Sequence, residues 1–460
     1  METIAAISTD IGNGGLGIIR MSGKETFKIL SKIFKNSKNK DLEIEKIKGY
    51  TMQYGFIIDS STGEKIDEVL VSFFKNPKSY TKEDMCEINS HGVMVVEKKI
   101  LEQCLKNGAI LAEPGEFTKR AFLNGRIDLS QAESIMDLIN SKTEKEAKAS
   151  INQLEGDLSN KINEIRHDLL DVMADIEASI DYPEYDIEEV TNKKAIEILE
   201  NINNKLENLK DSFRSGKILK EGIKTAIIGR PNAGKSSLLN RILKEERAIV
   251  SEIEGTTRDT IEEFITIKGI PLKIIDTAGI RKTSDTIEEI GVKKALNIAN
   301  EAELILAILD NTKELNEEDL EILELIKNKN AIILLNKIDQ NDFNLDKKEE
   351  LLSTNKKIIK ISAKEGRGIE ELYKTIEEMF QIKGLETGEE IIITNIRHKN
   401  QIELAIKNIE EAKIAVESNL PIDIISISIK QVLEELSKIT GENVSEDIIN
   451  EIFSKFCLGK

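Results

Sequence analysis

Tryptophan is absent from this chain, and aromatic residues make up only 4% of its 460 positions. Its cores are therefore expected to be aliphatic, built from packed helices and a parallel sheet. There are three cysteines, Cys86, Cys104 and Cys457, and only three histidines. None of them stands at metal-ligand spacing from another, which argues against a zinc site and against a disulfide framework. No apolar run approaches the roughly twenty residues needed to span a bilayer. The opening Met1-Glu2-Thr3-Ile4 places no basic segment ahead of an apolar core, so a cytoplasmic, reducing location without membrane association is expected. Basic side chains number 65 against 83 acidic ones, a net charge of −18. Because phosphate neutralisation dominates nucleic-acid affinity, that balance argues against tight autonomous binding, while leaving room for a local basic patch or a basic partner.

Hydrophobic residues at 40% are ample for buried cores, and the length suggests about three domains. The most informative run is Gly229-Arg230-Pro231-Asn232-Ala233-Gly234-Lys235-Ser236, a complete phosphate loop. Its glycines let successive backbone N–H groups turn toward phosphate, Lys235 brings charge to the β and γ oxygens, and the Ser236 hydroxyl can ligate magnesium. The apolar Thr225 to Ile228 leads into the loop as a strand. Ser237 to Leu243 leaves it as a helix whose N-terminus faces the anion. Asp276-Thr277-Ala278-Gly279 closes another strand, Leu272 to Ile275, and offers a carboxylate to the magnesium shell. Between them, Gly255-Thr256-Thr257-Arg258-Asp259 can supply a hydroxyl to the metal.

Asn336-Lys337-Ile338-Asp339 follows the buried strand Ala331 to Leu335, and Ser362-Ala363-Lys364 follows the strand Ile358 to Ile361. The two carboxylate oxygens of Asp339 match the paired N–H donors of guanine, whereas adenine would leave a desolvated carboxylate partly unpaired. These motifs in this order predict a GTP site. Ile280 stands where many regulatory GTPases carry a water-orienting glutamine, and an aliphatic side chain cannot orient water. Arg281, Asp285, Glu288 and Glu289 are the polar candidates downstream, and spacing selects none of them. Asn232 can either hold a monovalent cation against the phosphates or simply support the loop turn; the chemistry leaves both readings standing.

Residues 1 to about 120 alternate strand and helix patterns: strands at Thr3 to Ser8, Gly17 to Met21, Gln53 to Ile58 and Val69 to Phe74, helices at Lys24 to Phe34 and Val93 to Lys106. Gly12-Asn13-Gly14-Gly15-Leu16-Gly17 fits a dinucleotide fingerprint only superficially, because it runs into a strand rather than opening a helix. His91 reads as a loop histidine. From Leu129 the pattern becomes helical. Ile151, Leu154, Leu158, Ile162, Ile165, Leu169, Val172 and Ile176 predict one long amphipathic helix, and Thr191 a capped second helix with Ile198, Ile202, Leu206, Leu209 and Phe213 on one face. Helical patterns return after about Lys383. The expected fold is multidomain α/β and α: an α+β N-terminal domain (1–120), a helical domain in two halves (121–218 and 381–460), and a Ras-like P-loop G domain (219–380) inserted between them, so that a GTP-driven motion can be levered through both junctions.

Gly14-Gly15-Leu16-Gly17-Ile18-Ile19-Arg20, the stretch Glu113 to Arg126, and the ending Phe456-Cys457-Leu458-Gly459-Lys460 resemble the tRNA modification GTPase MnmE (TrmE) family along almost the whole chain. The resemblance implies a potassium-stimulated GTPase and homodimer. With the flavoprotein MnmG as partner, it would add a (carboxymethyl)aminomethyl group to carbon 5 of the wobble uridine of tRNAs. The one-carbon source would be a 5-formyl- or methylene-tetrahydrofolate bound by the N-terminal domain, which also serves dimerisation. By the same resemblance Arg20, Glu87, Arg126 and Lys460 contact the folate. Asn232, Ser251, Ile253 and Thr256 hold potassium, Ser236 and Thr257 hold magnesium, and Glu288 organises the attacking water. Nucleotide contacts then extend over Asn232 to Ser237, Ser251-Glu252-Ile253-Glu254-Gly255-Thr256-Thr257, Asp276 to Gly279, Asn336, Lys337, Asp339 and Ser362 to Lys364. Cys457 would sit beside the chemistry if the tail folds back onto the N-terminal domain. Leu458 where the family has isoleucine and Ser251 where it has threonine are small departures that keep the size or the oxygen. A ribosome-assembly GTPase is the alternative, but it ordinarily adds a basic RNA-binding face that a chain of net charge −18 lacks in gross balance. A pure signalling switch would need neither folate contacts nor a terminal cysteine.

Overall fold

The computed structural model describes residues 1–10, 12, 14–43, 46–181, 188–245, 263–275, 299–340, 349–380, 391–418 and 420–460, with the side chains of 177–181, 188–193, 245, 263 and 422–423 set aside. These residues form two compact units, each assembled from segments distant in the chain: Met1–Met136 with Gln153–His167 and Leu433–Lys460, and Asp137–Asn152 with Asp168–Val432.

The first unit is built on a seven-stranded sheet of order β3-β4-β5-β6-β2-β1-β7. Its strands are β1 (Ile4–Ile7), β2 (Gly17–Ser22), β3 (Phe34–Asn36), β4 (Thr51–Ile58), β5 (Lys65–Phe74), β6 (Met85–Ser90) and β7 (Ile110–Leu111). Neighbours run antiparallel except β1 and β7. Period-two burial along β5 and β2 turns Val69, Val71, Phe73, Ile19 and Met21 to one face, where α1 (Thr26–Ile33) and α2 (Met94–Lys106) close an aliphatic core. The Gly12–Gly17 run leads into β2, a strand, so the rejection of a dinucleotide fingerprint there holds. His91 is a loop residue whose ring bonds Asp67 at 2.8 Å. A second cluster joins α3 (Glu116–Leu123) and the start of α4 (Leu129–Ile139) to the end of the chain through Ala121, Leu129, Phe453 and Phe456.

The second unit holds a six-stranded sheet of order β13-β12-β11-β8-β10-β9. The strands are β8 (Ile223–Ile228), β9 (Glu263–Ile267), β10 (Ile270–Ile274), β11 (Leu304–Asp310), β12 (Ala331–Asn336) and β13 (Lys357–Lys360), all parallel in pairing save β9. Every residue of β11 and β12 is buried. Alternate positions of β11 enter two different cores, Leu304, Leu306 and Ile308 on one side and Ile305, Ala307 and Leu309 on the other. Such two-sided burial is what a parallel sheet covered by helices on both faces requires.

Two expectations about the helices are corrected. The stripe from Ile151 to Ile176 is carried by two helices, α5 (Glu144–Glu155) and α6 (Asp157–Asp181), because Gly156 between them adopts φ +100°. Ile151 is left exposed, while Leu158 to Ile176 are buried as expected. The following helix, α7, spans Glu188–Glu221 and so includes Thr191, which is not its cap. Within the second unit, α7 packs along the later helix Ile396–Glu417. Asp137 accepts from Lys220 at 2.6 Å, just ahead of β8, and from the Thr394 hydroxyl at 3.1 Å, just ahead of that later helix. One carboxylate thus pins two strands of chain that flank the six-stranded sheet in sequence.

Candidate functional site: a nucleotide cradle and a docked tail

The phosphate loop leaves the C-terminal end of β8 and opens α8 (Lys235–Glu245). Its start presses on the neighbouring strand, since a Cβ on Gly229 would lie 2.4 Å from the Ile308 carbonyl oxygen. Asn232 has φ +61° and Gly234 φ +110°, so the loop turns through two left-handed residues. Asparagine tolerates that region, which agrees with its loop-support reading and leaves its carbonyl oxygen available for the cation reading. Lys235 Nζ donates to the Gly229 and Arg230 carbonyls at 2.6 and 2.9 Å, and burial holds its ammonium below the usual lysine value. Ala233 is fully buried, Ser236 is partly so, and Ser237 is exposed.

The guanine-reading loop is tied directly to this cradle. Asn336, at the end of β12 and buried, donates from Nδ2 to the Ala233 carbonyl at 2.8 Å and accepts from the Ala363 N–H at 3.0 Å. Lys337 sits at φ +71° and gives Nζ to Asp310 Oδ2 at 2.7 Å. Burial raises the Asp310 carboxyl, but hydrogen bonds from Lys337 and Thr312 outweigh it and hold the group below its ordinary range. The Ser362 hydroxyl donates to Asp339 Oδ1 at 2.7 Å, and that bond chiefly holds the half-buried Asp339 carboxyl below its ordinary value. The structure thus brings Asn336, Lys337, Asp339, Ser362 and Ala363 together with Ala233. Lys364 enters through its carbonyl, which accepts from Arg241 of α8.

Sequence reading missed three supports. Arg241 also donates to the Ala363 carbonyl at 3.3 Å. Asp310 anchors Lys337 from a neighbouring strand. Arg230 of the phosphate loop pairs at 3.2 Å with buried Asp319, which also completes a capping box with Asn316 at the N-terminus of the helix Glu317–Ile326. None carries a motif signal, because each is a long-range pairing of ordinary residue types. Ser251, Glu252, Ile253, Glu254, Gly255, Thr256, Thr257, Asp276, Thr277, Ala278, Gly279 and Glu288, with the alternatives Arg281, Asp285 and Glu289, lie outside the described residues. Among the described residues no group of three or more His, Cys, Asp or Glu side chains is gathered for a metal, and no helix is long and apolar enough to cross a membrane.

In the first unit, the tail Cys457 to Lys460 is docked by backbone contacts. The Gly115 N–H donates to the Cys457 carbonyl at 3.3 Å, and the Phe117 N–H to the Lys460 carbonyl at 3.2 Å. Both the Ser8 hydroxyl and Arg20 Nη1 donate to the Gly459 carbonyl, at 3.1 and 3.0 Å. Gly459 lies at φ +84°, and a Cβ there would meet the Ile7 carbonyl oxygen at 2.4 Å. Arg20 and Glu87 face one another across β2 and β6, with Nε and Nη2 both on Glu87 Oε1 at 3.0 and 2.7 Å. Arg126 is exposed, its guanidinium over the Tyr80 ring. Cys457 is exposed, whereas Cys86 and Cys104 are buried, the latter pushed up to about 12 by desolvation.

A model of the MnmE helical domain matches residues 129–457, and a model described as GTP-binding protein TrmE N-terminus matches residues 3–126. Proteins named tRNA modification GTPase MnmE are similar throughout. The one from Acetivibrio thermocellus is 52% identical over 459 residues, covering 100% of this chain and 99% of that protein. Those from Alkaliphilus oremlandii and Clostridioides difficile are each 48% identical with the same coverage. With both family models in register and half the residues shared end to end, the chain belongs to the MnmE family of tRNA modification GTPases.

Proposed function

We propose that this chain is a GTP hydrolase that acts in the modification of tRNA, its residues 219–380 serving as the G domain, 121–218 with 381–460 as the helical domain, and 1–120 as the ligand-binding and dimerising domain. The observation that carries the nucleotide half is Asn336 bridging Ala233 and Ala363, because it joins the phosphate cradle and the base reader into one frame. Phosphates would lie in the backbone cradle of Asn232 to Ser237, with Lys235 released from the Gly229 and Arg230 carbonyls to the phosphate oxygens. Magnesium would be held by the Ser236 hydroxyl together with Thr257, and would neutralise charge developing on the γ-phosphate. Potassium would be held by the Asn232 side chain with Ser251, Ile253 and Thr256, and would supply the charge of an arginine finger. Glu288 would hold the water that Ile280 cannot.

In the first unit the donor set suits a reduced folate. Glu87 Oε2 has no partner among the described residues and can accept from pterin N–H groups, while exposed Arg126 and half-buried Lys460 suit the carboxylates of its tail. On this reading the folate supplies one carbon for carbon 5 of the wobble uridine. The chain works as a homodimer with the flavoprotein MnmG, and Cys457 lies beside the chemistry. Two experiments test the proposal together. Asp339→Asn should weaken GTP by several kcal/mol and let xanthosine triphosphate gain, since its edge presents a carbonyl where guanine presents a donor. Nucleoside analysis of tRNA from cells relying on this chain should show the modified wobble uridine, and its loss when Lys235 is replaced. Unchanged GTP preference in Asp339→Asn removes the base-reading role, and unmodified tRNA alongside normal GTP hydrolysis favours the ribosome-assembly alternative.

A further inference from the structure

The loop between β5 and β6 is fastened to α3 and the turn beyond it at three points. The Tyr80 and Thr118 hydroxyls share a hydrogen bond of 2.8 Å, Asn124 Nδ2 donates to the Thr81 carbonyl at 2.6 Å, and Lys82 Nζ donates to the Gly125 carbonyl at 2.8 Å. The Tyr80 ring, half-buried against the clusters of Phe117 and Phe453, is therefore held still. Two guanidinium groups lie over it, that of Arg126 with its carbon 4.6 Å from the centroid and that of Arg20 at 5.5 Å.

The two arginines are not equivalent. Arg20 spends its donors on Glu87 and the Gly459 carbonyl, so it braces the sheet and the docked tail. Arg126 makes no side-chain ion pair or side-chain hydrogen bond among the described residues, and its guanidinium lies over the ring. A cation held by an aromatic face keeps all its N–H donors for a ligand, and its lost rotamer freedom is already accounted for before the ligand arrives.

We infer that Tyr80 is a positioning residue for ligand binding, presenting Arg126 to an anionic group of the ligand. The inference rests on the folate reading and deepens it: the group would be a carboxylate of the folate's glutamate, not the pterin. Arg126 acts on the ligand directly; Tyr80 acts through Arg126.

Equilibrium binding to the full chain, by calorimetry, separates the pieces. The probes are 5-formyl-tetrahydrofolate and a tetrahydropterin without the glutamate. Arg126→Ala should weaken the folate at least about tenfold, as for loss of a charge-assisted pair, and leave the pterin unchanged. Tyr80→Leu should weaken the folate about three- to tenfold, Tyr80→Phe should stay near wild type because the ring remains, and Tyr80→Leu added to Arg126→Ala should cost nothing further. Additive losses, equal losses for the pterin, or a Tyr80→Phe as weak as Tyr80→Leu would each overturn the assignment. Should Tyr80→Leu not fold, Arg126→Ala compared on the two probes still decides whether Arg126 reads the tail. Wild-type protein that binds neither probe overturns the folate reading itself, an outcome distinct from a wild type that binds the folate while the variants match it.

Discussion

The Asn336 amide joins two loops more than a hundred residues apart, its Nδ2 on the Ala233 carbonyl at 2.8 Å and its Oδ1 on the Ala363 N–H at 3.0 Å. An asparagine is needed because one side must donate while the other accepts. Asn336→Ala leaves two buried backbone groups unpaired and should cost about 2–4 kcal/mol, with GTP affinity falling in step. Asn336→Asp keeps the acceptor for Ala363 but sets a carboxylate oxygen against the Ala233 carbonyl, so it should be no better than alanine despite its matching shape. Nucleotide binding and thermal unfolding of the two variants check this; an aspartate variant that binds as the wild type does would sink the bridging role.

Burial raises the Glu146 carboxyl from 4.5 to about 7, against the lowering effect of the Lys142 N–H that it accepts at 2.7 Å. The Lys142 ammonium acts on it next and lowers it, and after that Asp137 raises it while Lys220 lowers it. The fold therefore keeps a proton that the unfolded chain has released between these two values. Stability from this group is full below about 4.5, declines as pH rises toward about 7, and is flat beyond. At about 1.4 kcal/mol per pH unit, the swing is on the order of 3 kcal/mol. Glu146→Gln cannot titrate and should flatten that part of the unfolding midpoint between pH 5 and 8. Parallel pH curves for the variant and the wild type would contradict it.

How much of this was legible in the sequence follows from how each contact is encoded. The phosphate loop and Asn336 to Asp339 are contiguous runs whose chemistry fixes the residue types, so they could be read without a fold. The partner of Lys337 is Asp310, and that of Ala363 is Arg241; a parallel sheet brings each pair together, and no local pattern announces it. The stripe from Ile151 to Ile176 kept helical spacing across Gly156, which hid the break. Tyr80 carries no signal at all: it is a tyrosine in a loop until the fold sets two arginines over it.

Hydrolysis should depend on potassium and on Glu288 separately. With Ile280 unable to orient water and Asn232 turned through φ +61° in the loop, a cation bound by oxygens sized for potassium would take the place of an arginine finger. Turnover in sodium should then fall without loss of nucleotide binding. Glu288→Ala should bind GTP and still pair its G domains, yet hydrolyse about a hundredfold more slowly even in potassium. Phosphate release in the two salts measures both, and equal rates in sodium and potassium would remove the cation from the mechanism.

Gly459→Ala places a methyl group 2.4 Å from the Ile7 carbonyl and 2.7 Å from the Ser8 Cα, at a φ of +84° that alanine resists. The tail should leave its seat. The amides of Gly115 and Phe117, which donate to the Cys457 and Lys460 carbonyls, should then exchange hydrogen faster while those of β11 stay protected. Unaltered exchange at both amides would show that the docking tolerates a side chain.

The three thiols differ enough to be told apart by chemistry. Cys86 and Cys104 are buried, and burial pushes both up, Cys104 to about 12, so neither yields thiolate near neutrality. Cys457 is exposed at the start of the docked tail. A thiol reagent should therefore titrate one rapid equivalent in the native chain and three after unfolding. Alkylating that one residue, or making Cys457→Ser, should leave GTP hydrolysis near wild type, because the phosphate loop and base reader make no use of it. If Cys457 takes part in the modification chemistry, the same treatments abolish the modified wobble uridine in tRNA, and removal of Cys457 to Lys460 additionally weakens folate binding. Full modification by Cys457→Ser would make Cys457 a surface residue whose backbone, rather than its sulfur, serves the site.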